Sequence, residues 1–100
     1  AHRIMSNLNS HLSKICWPDS QVKRYEFDFE TDIFILNIED FQRVSWCIRF
    51  DNVDFNFVND PVYISDAKFS ELNGLNIAEF SDDDGLIIKI IYGDCAIACL

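Results

Sequence analysis

The chain has 100 residues, 49% of them hydrophobic and 14% aromatic, which excludes a disordered chain and suffices for one domain around a single core. Seventeen acidic and eight basic residues give a formal net charge of −9. This charge argues against direct binding to nucleic acid or to an anionic membrane, since both attract basic surfaces. We predict a single domain over residues 1–100, whose charge indicates either a basic protein partner or only high solubility.

The first segment has the period of an amphipathic helix. Four aliphatic residues recur at helical spacing and form one apolar stripe, namely Ile4, Leu8, Leu12 and Ile15. Pro18 disfavours a helical conformation in the residue before it and so ends the pattern. The sequence therefore predicts an N-terminal helix.

From residue 22 the period changes to two, which is typical of strands. In VKRYEFDFE the aromatic side chains of Tyr25, Phe27 and Phe29 alternate with acidic ones and are predicted to point inward. Three further stretches are predicted as strands, namely DIFILNIED, RVSWCIRF and DNVDFNFVND. Their short connections favour a meander of hairpins. We expect the aromatic faces, from Tyr25 to Phe57, to form the core beneath the first helix.

The second half mixes a helix signal with strand signals. Ser65 is a possible N-cap and Gly74 a possible C-terminal stop, which predicts a short helix near residues 66–73. VYI is a possible short strand, and NIAEF, LIIKIIYG and DCAIACL are predicted as strands, the last two joined at Gly93-Asp94. The predicted fold is α+β: an N-terminal helix packed on a mainly antiparallel sheet of six or seven strands, with one further short helix.

The stretch FSDDDGLIIKI could be a metal loop, a catalytic carboxylate cluster or the turn of a hairpin. A calcium loop that starts with Asp82 and Asp84 would place apolar residues where further oxygen ligands belong. Asp84-Gly85 lies between two β-like runs, and both residues tolerate the positive φ of a primed turn. We therefore predict a turn and no bound metal.

The sequence gives little support for catalysis. Both histidines, His2 and His11, lie in the first segment, and a pairing of His11 with Cys16 lacks a third member to orient the base. The three glycines are scattered, so there is no phosphate-binding loop. We predict that the chain is not an enzyme and takes no cofactor, with a small enzyme or metal-dependent regulator as the alternative.

Four cysteines lie among apolar neighbours, at Cys16, Cys47, Cys95 and Cys99. No secretory signal and no run of about 18 apolar residues is visible, so we expect reduced, buried thiols and a cytoplasmic protein, with one oxidised pair as the alternative.

Carboxylates mark the candidate binding surface. They alternate along the first strand and recur at the ends of its neighbours, at Glu26, Asp28, Glu30, Asp32, Glu39, Asp40, Asp51 and Asp54. Like charges on one face are costly until a counter-charge arrives, so an acidic docking surface is one interpretation. The other is a solvated sheet face on which basic residues are interleaved as partners, namely Lys23, Arg24, Arg43 and Arg49.

The general plan resembles the small acidic immunity proteins that bacteria pair with polymorphic toxins, such as those of contact-dependent growth inhibition. The resemblance covers the opening helix and the stretches VKRYEFDF, DIFILNIED, SWCIRFDNVDFNFVND and LIIKIIYGDCAIACL. It implies a cytosolic, non-catalytic inhibitor that binds a toxin, often a nuclease with a basic cleft, and blocks its active site or substrate groove. An adaptor or complex subunit with a basic partner is the alternative function. In either case no nucleic acid, membrane or small-molecule substrate is expected as a direct partner.

Overall fold

Antiparallel strands make up the architecture of the protein. The structure is a computed structural model and describes Leu12 and residues 15–100. In this part of the chain the strands are β1 (Ser20–Asp28), β2 (Ile33–Glu39), β3 (Ser45–Asp51), β4 (Phe55–Val58), β5 (Tyr63–Ile64), β6 (Asp66–Leu72), β7 (Leu75–Asp82), β8 (Gly85–Tyr92) and β9 (Asp94–Cys99). They form a five-stranded sheet of order β5-β1-β2-β3-β9 and a four-stranded sheet of order β4-β8-β7-β6. The two sheets pack as a sandwich around one core.

The predicted α+β fold is therefore wrong. The described residues contain two antiparallel sheets and no helical element, so the single sheet of six or seven strands is replaced by nine strands in two layers. The predicted helix at residues 66–73 is strand β6. Of the segment on which the N-terminal helix was predicted, only Leu12 and residues 15–17 are described; residues 15–17 are not helical, and the rest of the predicted helix lies outside the described residues. No described helix has the length and apolar character needed to cross a membrane.

The turn after β6 explains why this segment is a strand. Asn73 and Gly74 both have positive φ, 53° and 82°, and they join the paired residues Leu72 and Leu75. Two positive φ values in a two-residue loop are the mark of a type I′ hairpin turn, which fits the twist of two antiparallel strands. Gly74 therefore closes a hairpin instead of ending a helix.

The core lies between the inner faces of the two sheets. The inner face of β2 contributes Phe34, Leu36 and Ile38, which are at most 1% exposed. From the opposite sheet β8 contributes Ile88, Ile90 and Tyr92, all 0% exposed. The rings of Phe50 and Tyr92 meet edge to face, with centroids 4.7 Å apart, across the two layers.

Several aromatic side chains predicted to be inside are on the surface. Of the β1 set, Phe27 packs against the core, whereas Tyr25 is 41% and Phe29 83% exposed. Phe29 lies beyond the end of β1, where its ring contacts that of Phe27 edge to face at 5.0 Å. Phe55 and Phe57 also face outward, because Val58 of the same strand takes the inner face.

The chain passes between the sheets at residues 52–54, 59–62, 65 and 93. Gly93 was predicted to join β8 and β9 as neighbours, but β9 pairs with β3 in the other sheet. The N–H of Gly93 donates to the carbonyl oxygen of Asp51 at 3.0 Å and fixes this crossing. The crossing and the β1–β2 connection lie at one end of the sandwich, and the β2–β3 and β7–β8 turns at the other.

Candidate functional site

Carboxylates from separate parts of the chain converge at one end of the sandwich. We call this set the acidic end: it consists of Asp28, Glu30, Asp32, Asp51, Asp54 and Asp94. The backbone explains their convergence. The N–H of Val53 donates to the carbonyl oxygen of Asp32 at 3.0 Å, and that of Asp54 donates to Ile91 at 2.8 Å. Asp51 pairs with Asp94 across β3 and β9.

The acidic end has little internal compensation. Among the described residues, Arg49 makes the one ion pair at this end, with its Nε 2.8 Å from Oδ1 of Asp51. Asp28 accepts the backbone N–H of Glu30 at 2.9 Å, which orders the turn without neutralising its charge. Uncompensated like charges at one end attract a cationic ligand and speed its approach.

The structure brings together five of the eight predicted carboxylates, and it adds Asp94. Glu26 lies on the outer face of β1 and pairs with Arg24 at 2.9 Å. Asp94 was missed because its position next to Gly93 reads as a hairpin turn, and only the pairing of β9 with β3 brings it beside Asp51. The sequence does contain one signal for Asp94: it is an acidic residue at the start of a predicted strand.

Glu39 and Asp40 lie at the opposite end of the sandwich. Glu39 is 3.6 Å from Nζ of Lys23. Asp40 is only 5% exposed, and its carboxylate accepts hydrogen bonds from the backbone N–H groups of Gln42 and Val44, both at 2.9 Å, and from Nε1 of Trp46 at 3.0 Å. Asp40 therefore holds the β2–β3 turn together, and its oxygens are not free to meet a partner.

These contacts change the acidity of Asp40. Burial acts to raise its pKa, but the hydrogen bond from Trp46 and those from nearby backbone groups, Cys16 included, outweigh burial and lower the pKa below the usual 3.8. The carboxylate thus stays ionised as a structural anion.

An open depression of about 510 Å³ lies beside this turn, and its lining is polar: Asp19, Gln21, Lys23, Glu39, Asp40, Phe41 and Arg43. The lining holds no Ser, Cys or His that could act as a nucleophile or base. Of its three acids, Glu39 is engaged with Lys23 and Asp40 with the turn, which leaves the carboxylate of Asp19.

The aspartates of FSDDDGLIIKI form the turn of the β7–β8 hairpin, as predicted. Asp82 pairs with Gly85, so the two-residue loop is Asp83-Asp84, one position earlier than predicted. The N–H of Asp84 donates to Oδ1 of Asp82 at 2.8 Å, and that of Asp83 donates to the hydroxyl oxygen of Tyr63 at 3.3 Å. In Leu12 and residues 15–100, no group of three or more His, Cys, Asp or Glu side chains has the arrangement of a metal site.

Millimolar calcium or magnesium should therefore leave the melting temperature unchanged. A metal that binds only the folded chain would raise stability, by about 2.7 kcal/mol at a hundred times its Kd. The measurement is thermal unfolding with each metal chloride, and sodium chloride of equal ionic strength is the control because screening alone affects a chain of charge −9. A saturable rise that Asp82→Asn removes would contradict this prediction.

The cysteines occupy different environments, and none of the four is paired in a disulfide. Cys95 is buried, as predicted, and burial raises the pKa of its thiol to about 12, with smaller contributions from Asp51 and Asp94. Cys99 is exposed, against the prediction, while Cys16 and Cys47 are half-buried.

Comparison with known proteins assigns the chain to no family. No family model matches the sequence, and neither the curated proteins nor the solved structures contain a significant match. The features of the chain that bear on function are its antiparallel sandwich and the carboxylates gathered at one end of it.

Proposed function

We propose that the chain is a non-catalytic immunity protein that binds a cognate bacterial toxin and occludes its active site or substrate cleft. The single observation that carries this proposal is the acidic end, where six carboxylates from separate segments converge beside one ion-paired guanidinium of the described chain. The proposed partner, a toxin with a basic surface, comes from the resemblance of the strand stretches to small acidic immunity proteins; the α+β plan that was part of this resemblance is not retained.

The acidic end is complementary in charge to a basic cleft. A nuclease cleft must be basic to hold a phosphate backbone, so several carboxylates at one end of a sandwich are suited to enter or cover it. Asp51 and Asp94 are on paired strands, which limits the conformational freedom lost on binding. The proposed place of action is the cytoplasm, where such a toxin meets its nucleic acid.

The alternative function is an adaptor or complex subunit with another basic partner. Both functions use the same end of the sandwich, so the identity of the partner separates them. Co-expression with the protein encoded by the neighbouring reading frame is the direct test: suppression of its toxicity, together with co-purification, supports the immunity function. Co-purification with a harmless protein supports the adaptor, and failure of both contradicts docking by this chain.

Reversing charge at the acidic end should slow association with the partner. The variant Glu30→Lys/Asp54→Lys alters two exposed carboxylates that make no hydrogen bond or ion pair within the described chain, so the fold should persist. We expect the association rate at low salt to fall about ten- to a hundredfold, and its salt dependence to weaken, because steering depends on these charges. Stopped-flow or surface plasmon resonance at two salt concentrations measures both quantities.

The chain offers a matched control at the opposite end. Asp66→Lys/Asp84→Lys produces the same change in net charge on exposed residues near the β7–β8 turn. An equal loss of rate in both variants would mean that only overall charge matters. No loss in the first variant would remove the acidic end from the interface.

A further inference from the structure

The outer face of the four-stranded sheet carries apolar side chains on three of its strands. Phe55 and Phe57 of edge strand β4 point away from the core and are 47% and 39% exposed. Ile91 and Ile77, on the two central strands, lie on the same face, because their neighbours Ile90 and Ala78 are buried inside. An exposed apolar patch of this kind on a small domain marks a contact surface.

The same face departs from the strong acidity of the chain. The strand register places two rows of side chains across it. One row runs Phe55, Ile91, Ile77, Ser70, and the other runs Phe57, Lys89, Glu79, Lys68. Two lysines and one glutamate thus lie across the middle of the face, in a chain of net charge −9. Two copies can approach here without placing one acidic surface against another.

These rows are self-complementary, and we infer that the occupant of this face is a second copy of the chain. A two-fold axis that is parallel to the strands and passes between β7 and β8 reverses the strand order and keeps each row opposite itself. Ile91 then faces Ile77 of the second copy, and Lys89 faces Glu79 of the second copy. Phe57 faces Lys68 of the second copy, a cation–π arrangement.

The alternative two-fold axis, across the strands, is unfavourable. It would set one row against the other and place Ile77 against Glu79 and Ile91 against Lys89, which desolvates charges without partners. The first arrangement pairs every charge of the central strands and packs sheet on sheet, a common geometry about 10 Å thick. The dimer leaves the acidic end free, so this inference does not depend on the proposed function.

A charge-swap experiment tests this dimer. By sedimentation velocity, we expect the wild-type chain to shift with rising concentration from 11.6 kDa to a species of twice that mass. Glu79→Lys alone sets lysine against lysine across the axis, and Lys89→Glu alone sets glutamate against glutamate. Each should weaken dimerisation at least tenfold, whereas the double variant Glu79→Lys/Lys89→Glu restores it.

An equimolar mixture of the two single variants provides the decisive measurement. Glu79 and Lys89 also face each other within one chain, so each single variant carries a like-charge pair internally, and mixing does not relieve it. Recovery of the dimer on mixing therefore shows a contact between chains. Circular dichroism and thermal unfolding of each dilute variant establish that it is folded.

Two results would overturn the inference. One is a wild-type chain that stays at 11.6 kDa up to high micromolar concentration, which would leave the face to a different protein or to another segment of this chain. The other is a mixture of the single variants that remains monomeric.

Discussion

Replacing Trp17 with alanine should lower the free energy of unfolding by about 3–5 kcal/mol, the usual cost of removing a large buried aromatic side chain. Trp17 is 4% exposed, and its ring centroid lies 4.9 Å from that of Phe80 and 5.8 Å from that of Phe69. Its Nε1 donates to the carbonyl oxygen of Leu12 at 2.7 Å. The substitution therefore removes packing against the four-stranded sheet together with a buried hydrogen bond. Urea unfolding followed by far-ultraviolet circular dichroism measures the change.

Two further variants separate the causes. Trp17→Phe keeps most of the ring packing and loses the hydrogen bond, so its cost should be nearer to 1–2 kcal/mol, about the penalty of one unsatisfied buried group. Phe29→Ala removes an aromatic ring that is 83% exposed and should cost well under 1 kcal/mol, about the size of most surface substitutions. A loss on Trp17→Ala no greater than that on Phe29→Ala would show that the segment before β1 does not close the core.

Replacing Asp40 with alanine should cost about 2–4 kcal/mol at neutral pH, because three donors lose an ionised acceptor. The penalty should also depend on pH. A carboxyl whose pKa is lowered on folding contributes stability that is present above its unfolded pKa and lost as the pH falls through the folded value. The pKa of Asp40 is lowered from 3.8, so the difference between wild type and Asp40→Ala should persist at pH 5–7 and shrink below about pH 4.

Glu39→Ala is the matched control for Asp40→Ala. Glu39 is the neighbouring carboxylate, partly exposed, with one long ion pair to Lys23 at 3.6 Å. Exposed pairs contribute about 0–1 kcal/mol, so this variant should unfold nearly as the wild type does. Urea midpoints for both variants between pH 2 and pH 7 give the comparison. A penalty for Asp40→Ala that is constant across this range would mean that its charge is not what holds the turn.

Most strands could be predicted because their signal is local. The patterns of DIFILNIED and RVSWCIRF identified β2 and β3, whereas only the structure shows that the face of β2 with Phe34, Leu36 and Ile38 lies inward. The alternation does not reveal how many sheets the strands form, because an inward face looks the same against either layer. The prediction of a single sheet was wrong for this reason.

Two errors arose where local signals compete. Asn73-Gly74 is a strong hairpin signal, but Ser65 and Gly74 also suit the two ends of a helix. Only the pairing of β6 with β7, which buries Phe69 against the core, decides between them. The aromatic alternation of β1 likewise predicted burial for Phe29, although that residue lies past the strand end and beyond the cover of the second sheet.

The candidate site was predictable in composition but not in assembly. Asp28, Glu30 and Asp32 are near one another in the sequence, so their clustering was expected. The addition of Asp94 needed the long-range pairing of β9 with β3. Asp40 is excluded from the candidate site because its carboxylate accepts hydrogen bonds from the β2–β3 turn. No spacing of acidic residues in the sequence indicates these bonds.

The pairing of β3 with β9 has a consequence for how the chain reaches its fold. Its partners include positions 46 and 99, whereas β6, β7 and β8 form consecutive hairpins of low sequence separation. Local hairpins form on a microsecond scale, while long-range pairings must first overcome a larger loop-closure entropy. During synthesis, the edge of β3 that pairs with β9 therefore stays unpaired until residues 94–99 have been made. An open edge that carries Trp46, Ile48 and Phe50 can pair with other chains, so synthesis is the stage at which this protein is most exposed to aggregation.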